Sequence, residues 1–310
     1  MIDFNTTFRS RASFESFAAQ SPQGFSVEEA FARLDRKPAL PARTTDELLA
    51  DWLTALDDHG VSHAVSLASR DEDIPLLAEV AQKSEGRLIP FAPFDPSTEG
   101  AIERAEHLLA ATGFRGLVLD PARDGYLISE DRLADVFETI ATHDGIVFMR
   151  SGVPNLALER AFGLPIKFDP NAANPLHLLV AAHRHPDLQF VIPNFGSGFF
   201  RELLLVGAEC PNLRIDSSSP YGWMTAQNSP LSLVEVFESM LSVFGADRVL
   251  FGTGSDDPRS GWNHQALTLQ REALGACGTT PEECDRLLGG NALQLLGLPV
   301  PRRRAVAHPS

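Results

Sequence analysis

Short runs of mostly apolar, β-branched residues recur along the chain, with longer stretches of helical spacing between them. The runs at 1–5, 63–68, 87–94, 116–120, 145–150, 189–194, 213–216 and 248–252 lack regular alternation, as strands covered on both faces of a parallel sheet do. Segments 101–111, 132–142, 176–185, 201–209, 231–244 and 264–274 gather their apolar positions on one helical face. Thr44-Thr45-Asp46-Glu47 reads as a capping box opening a helix that runs to about residue 59. Thr280-Pro281-Glu282-Glu283 reads as another, with proline at the first helical position and Gly289-Gly290 interrupting the helix that follows. Eight strands alternating with helices predict an α/β fold, a (β/α)8 TIM barrel forming one domain over 1–300.

Connection lengths point to one face of that barrel. Helix-to-strand turns are brief, at 60–62, 113–115, 211–212 and 245–247, whereas strand-to-helix connections are long, at 6–43, 151–174 and 217–230. Loops beyond about 12–15 residues are uncommon without a use, and strand-to-helix loops ring the face that carries chemistry. The first of them holds Phe8, Phe14, Phe17, Phe25 and Phe31 and a helical stretch near 27–34. Two readings stay open for 6–43: a lid over the mouth, or a contact between two copies of the chain in a homodimer. The end, 301–310, with Arg302, Arg303 and Arg304, reads as a solvated basic tail.

Composition narrows the classes. A net charge of -15 over 310 residues, spread along the chain, argues against nucleic acid or an anionic membrane as partner. No apolar run approaches the roughly 18 residues that cross a bilayer. Asp3 stands where a signal peptide would carry basic and then apolar residues. Cys210, Cys277 and Cys284 form no Cys-x-x-Cys pair, which fits a reducing, cytoplasmic setting.

Several stretches in order carry a resemblance. They are Gly113-Phe114-Arg115-Gly116, His185-Pro186-Asp187-Leu188, Cys210-Pro211-Asn212-Leu213-Arg214-Ile215-Asp216-Ser217-Ser218, Gly245-Ala246-Asp247-Arg248-Val249-Leu250-Phe251-Gly252 and Gly289-Gly290-Asn291-Ala292-Leu293. With them the chain resembles the amidohydrolase-related family, the group that includes aminocarboxymuconate-semialdehyde decarboxylase. The resemblance implies a divalent metal held by two histidines on strand one, one on strand five and an aspartate on strand eight, with a catalytic histidine on strand six. Matched to this sequence, those positions hold Asn5, Thr7, Arg150 and, on strand six, Asn194. The strand-eight position falls on Asp256 if Gly254-Ser255-Asp256-Asp257-Pro258 is aligned with a two-residue shift, and on Gly254 without a gap; Asp256 is the preferred match.

These replacements change the expected chemistry. Asn offers only a neutral oxygen, and zinc favours imidazole, thiolate or carboxylate. A fixed cation at Arg150 and a divalent ion about 4 Å apart, at an effective dielectric near 20, would repel by roughly 8 kcal/mol. No cofactor and no metal are therefore expected. The nine histidines supply no relocated site; only His264, after Gly261-Trp262-Asn263, falls near the mouth, where it reads first as a helix-start surface residue. Two readings of function follow. In one, a metal-independent lyase or hydrolase acts on a small anionic or carbonyl-containing molecule. Arg150 would hold its anionic group, Asn5 and Asn194 would donate to a developing oxyanion, and Asp256 would move a proton. Thr7, Tyr221 and Trp223 would complete the substrate wall. In the other, the barrel binds a metabolite or partner subunit without turnover.

Overall fold

The computed structural model describes residues 1–34, 40–42, 44–153, 155–259 and 261–299. Its eight strands are Ile2–Phe8 (β1), His63–Ala68 (β2), Leu88–Pro93 (β3), Gly116–Leu119 (β4), Ile146–Met149 (β5), Gln189–Ile192 (β6), Leu213–Asp216 (β7) and Val249–Leu250 (β8). They pair in parallel in sequence order, as in Val65 with Ile89 and Leu117 with Val147. The sheet curls back on itself beyond β8: the Phe4 amide donates to the Phe251 carbonyl at 2.8 Å, and Thr6 bridges Ser255. The expected (β/α)8 barrel is the observed fold.

Two layers of side chains hold it. Ile2, Phe4, Val65, Leu67, Phe91 and Phe148 are among the buried residues of one cluster, which fills the barrel. Their strand neighbours Ala64, Ala68, Val147 and Met149 belong to the larger cluster that packs against the helices. This two-sided burial is why the strands read as apolar runs instead of alternating. At Gly116 the interior is so tight that a Cβ would stand 2.3 Å from the Phe91 ring.

The helical segments lie close to their expected bounds, with Thr45–Asp58, Leu233–Phe244 and His264–Ala276 the longest. Thr280 caps Pro281–Asp285 in a complete capping box, and Gly289 breaks helical geometry in the turn that follows. At Thr44 only half of the box forms: the hydroxyl accepts the Glu47 amide, while the Glu47 carboxylate takes the Thr44 hydroxyl's own proton. Helices Ile74–Lys83 and Ala157–Phe162 were not expected from spacing.

The segment 6–43 departs from a plain loop. β1 runs on to Phe8, which stacks on Trp52, and helices Arg11–Ala19 and Val27–Phe31 follow. Phe14, Phe17 and Phe31 build a small core of their own with Ala161 and Phe162, in the connection after β5. Asp73 pins the start of the segment, accepting the Ser10 amide at 2.7 Å and the Ser13 hydroxyl at 2.6 Å. The basic end at 301–310 lies outside the described residues. Among the described residues no helix is long and apolar enough to cross a membrane.

Candidate active site

A cavity of about 780 Å3 opens where the strands end, and each strand's exit contributes to its lining. Asn5 and Thr7 come from β1, Arg150 follows β5, Asn194 follows β6, and Asp256 lies beyond β8. Phe14, Phe17 and Leu40 of the 6–43 segment line the same space, so that segment borders the cavity without filling it. Five sequence-predicted site residues thus meet in one place.

Tyr221 and Trp223 do not join them. The Tyr221 hydroxyl donates to the Ser217 carbonyl at 3.1 Å and accepts from Gln270 at 2.9 Å, which turns the ring into the barrel wall. Trp223 packs on Phe200 with ring centres 5.5 Å apart. Neither lines the cavity: the Tyr221 ring meets Phe195 in the turn after β6, and the Trp223 ring meets Phe200 at the start of the helix that follows. His264 is also elsewhere: it meets His59, which stacks on Trp262.

The floor is a closed polar network centred on Asp216. Its Oδ1 accepts from Asn5 Nδ2 at 3.1 Å, the Asn194 amide at 3.3 Å, the Ser218 amide at 3.2 Å and the Ser218 hydroxyl. Asn5 Nδ2 also reaches Ser218 Oγ at 2.8 Å, and Asn194 Nδ2 reaches the Ser219 carbonyl at 2.5 Å and Ser218 Oγ at 3.0 Å. Burial pushes the Asp216 carboxyl above its usual range, against the pull of these donors. Its Oδ2 is buried with no partner among the described residues and lies 2.1 Å from where a Cβ on Gly252 would stand, so only glycine fits there. Asp3 is the second buried carboxyl. Burial raises it to about 7, although Thr253 and the Asn5 amide donate to it.

This geometry corrects the expected role of the two asparagines. Both Nδ2 protons of each are occupied by acceptors beneath the cavity, and the surrounding carboxylate and carbonyl oxygens dictate that the nitrogen points that way. Asn5 and Asn194 therefore cannot donate to an oxyanion; they leave their amide oxygens to the cavity. Asn194 also opens a run of left-handed residues, with φ of 54°, 51°, 81°, 48° and 106° from Asn194 to Gly198. Three of the five carry side chains, at about 1–3 kcal/mol each, and such strain is typical of functional sites.

Charges on the wall divide into committed and uncommitted groups. Asp256 pairs with Arg9 at 3.4 Å, which detracts from its expected place as the proton carrier. Asp120 holds Arg123 at 3.2 Å, and Arg123 also binds Glu159. Asp51 holds Arg259, Asp71 holds Arg104, and Asp95 accepts from the Ser97 amide and hydroxyl. Arg150 and Asp124 remain. Neither side chain makes a hydrogen bond or ion pair with any described residue. Burial lowers the Arg150 guanidinium from its ordinary value, Asp120 opposes that shift, and the cations Arg123 and Arg9 add to it. Asp124, exposed within the mouth, is raised to about 7 by desolvation and then by Asp95 and Asp120, with Arg123 and Arg150 pulling it down. Sequence reading missed Asp124. Its only signal was a pair of aspartates, Asp120 and Asp124, at the exit of β4.

The sequence profile described as Amidohydrolase matches residues 19–298, and the chain belongs to this family. No curated protein gives a significant match. Among solved structures the chain is similar to 5-carboxyvanillate decarboxylase from Sphingomonas paucimobilis, at 14% identity and a TM-score of 0.66, covering 96% of this chain and 99% of that one. It is also similar to a zinc-bound amidohydrolase from Burkholderia multivorans, at 18% identity, a TM-score of 0.64 and the same two coverages, 96% and 99%. A third is dihydroxybenzoic acid decarboxylase from Polaromonas sp. JS666 with bound manganese and the inhibitor 2-nitroresorcinol, at 16% identity and a TM-score of 0.61, covering 96% of each chain.

The residues present here do not fit such a metal. Asn5 is tied into the Asp216 network, Arg150 brings a cation, and a side chain at Gly254 would meet the Ser219 carbonyl at 2.5 Å. Among the described residues, no three His, Cys, Asp or Glu side chains gather where an ion could sit.

Proposed function

We propose that this amidohydrolase-family chain is a metal-independent lyase or hydrolase acting on a small hydroxylated aromatic acid in the barrel mouth. The observation that carries the reading is Arg150: a guanidinium lining the cavity with no hydrogen bond or ion pair among the described residues. A carboxylate supplies the two acceptor oxygens that a guanidinium matches. Phe148, Leu67 and Val118 offer apolar surface for a ring. The free oxygens of Asn5 and Asn194 would accept from a ring hydroxyl. The decarboxylase relatives act on hydroxylated benzoates, which agrees with this donor and acceptor pattern. Arg150 would bind the anion, while the floor network would hold both asparagine oxygens in fixed positions.

One observation favours the second reading, binding without turnover. With both asparagine amides occupied, the floor offers no donor to a developing oxyanion. Chelator-treated protein incubated with hydroxybenzoates and with carboxylated lactones separates the readings, with carbon dioxide or acid release as the signal. Turnover that survives chelator and is lost in Arg150→Met is the expected result. Turnover that needs added zinc or manganese overturns metal independence, and carboxylate binding without product favours the non-catalytic barrel.

A further inference from the structure

Among the described residues, Arg150 and Asp124 are the charged cavity groups without a hydrogen bond or ion pair, and both line the same cavity. Asp124 ends the short helix Pro121–Asp124 that follows β4, and Arg150 follows the adjacent strand β5. The groups facing Asp124 are Asp95 from the connection after β3, Asp120 and Arg123 from its own turn, and Arg150. The buried Tyr126 phenol lies beside it too, with no hydrogen-bond partner among the described residues. Asp120 is paired with Arg123, and Asp95 accepts from the Ser97 amide. An incoming carboxylate on Arg150 therefore lies in a cavity that Asp95 and Asp124 also line, where an ionised Asp124 would add a negative charge that no ion pair among the described residues offsets.

We infer that Asp124 is the proton-holding residue of this cavity, and that a carboxylate binds Arg150 together with one proton on Asp124. The inference rests on the reading of Arg150 as anion receptor. Carboxyl-to-carboxylate hydrogen bonding turns a repulsive contact into an attractive one. In a decarboxylation the same proton would go to the ring carbon that keeps the electron pair of the broken C–C bond. Carbon dioxide leaves, and solvent returns a proton to Asp124.

Benzoate, which lacks a hydroxyl to promote its own breakdown, is the probe. Calorimetric titration of the full chain at pH 8, in two buffers of different ionisation enthalpy, reads the protons taken up on binding. Uptake approaching one proton per benzoate is expected, with affinity falling up to tenfold per pH unit above about 7. Asp124→Asn should abolish the uptake and flatten the pH dependence, whereas Asp124→Glu, which keeps an ionisable carboxyl, should retain both. Benzoate binding that depends on Arg150 but takes up no proton overturns this inference and leaves the receptor reading intact. Uptake that persists in Asp124→Asn also overturns it, by assigning the proton to another group. Absence of benzoate binding, or equal binding by Arg150→Met, removes the receptor reading and this inference with it.

Discussion

The floor and the wall of the cavity solve opposite problems. On the floor, Asp216 collects four donors from Asn5, Asn194 and Ser218, so polar groups that would otherwise be stranded satisfy one another. On the wall, Arg150 and Asp124 make no hydrogen bond or ion pair among the described residues, in a space that other charges crowd. The difference teaches where to look for chemistry. A network whose donors are met within the chain mainly contributes stability and position, whereas a cavity charge with no ion pair among the described residues stands ready for something from outside the chain.

The largest effect should come from breaking the floor. Asp216→Ala leaves several buried donors unpaired, and urea unfolding should show a loss of about 3 kcal/mol or more. A loss below about 1 kcal/mol would mean that the network contributes little. On the wall the reverse is expected: Arg150→Met should weaken benzoate by roughly tenfold or more, the worth of a charged hydrogen bond, without lowering stability. If that variant unfolds more easily than the wild type, Arg150 is a structural cation and the contrast collapses.

Acidity sharpens the comparison. Asp3 sits beneath the floor with its carboxyl raised to about 7, and Asp216 is shifted the same way. The folded state thus binds these protons more tightly than the unfolded chain, where a carboxyl titrates near 4. The stability they contribute is present in acid and is lost as pH rises, for Asp3 from about 4 through 7. Unfolding curves across that range should show the decline, and Asp3→Asn should flatten it; an unchanged slope would assign the decline to other groups. The smallest effect belongs to the rim. Asp256→Asn breaks a long, partly exposed pair with Arg9, so stability should change by less than about 1 kcal/mol. Benzoate affinity should hold within error, and a large loss would restore Asp256 as a working site residue.

Strand and helix positions, the barrel itself and the location of the mouth were legible in the sequence, because each follows from local periodicity, caps and connection lengths. Of the exceptions one is local and one is not. Ile74–Lys83 carries Pro75 in its first turn, where the missing N–H costs nothing, whereas Phe17 of the 6–43 segment stacks on Phe162 in a helix far along the chain. The residue types at the positions matched to the family's ligands were also legible, and Asn5, Thr7, Arg150, Asn194 and Asp256 line one cavity. Partnership was not. Asn5 meets Asp216 across 211 residues of sequence, and only that contact shows that its amide protons are already taken. Tyr221 and Trp223 were drawn from the cavity by partners no local pattern shows, Gln270 for the Tyr221 hydroxyl and Phe200 for the Trp223 ring. Asp124 stood out only once the fold showed the partners of other acids of the mouth, such as Arg123 for Asp120 and Ser97 for Asp95. A side chain's type is written in the sequence, but whether its hydrogen bonds and charge are already satisfied depends on which distant residues the fold brings to it.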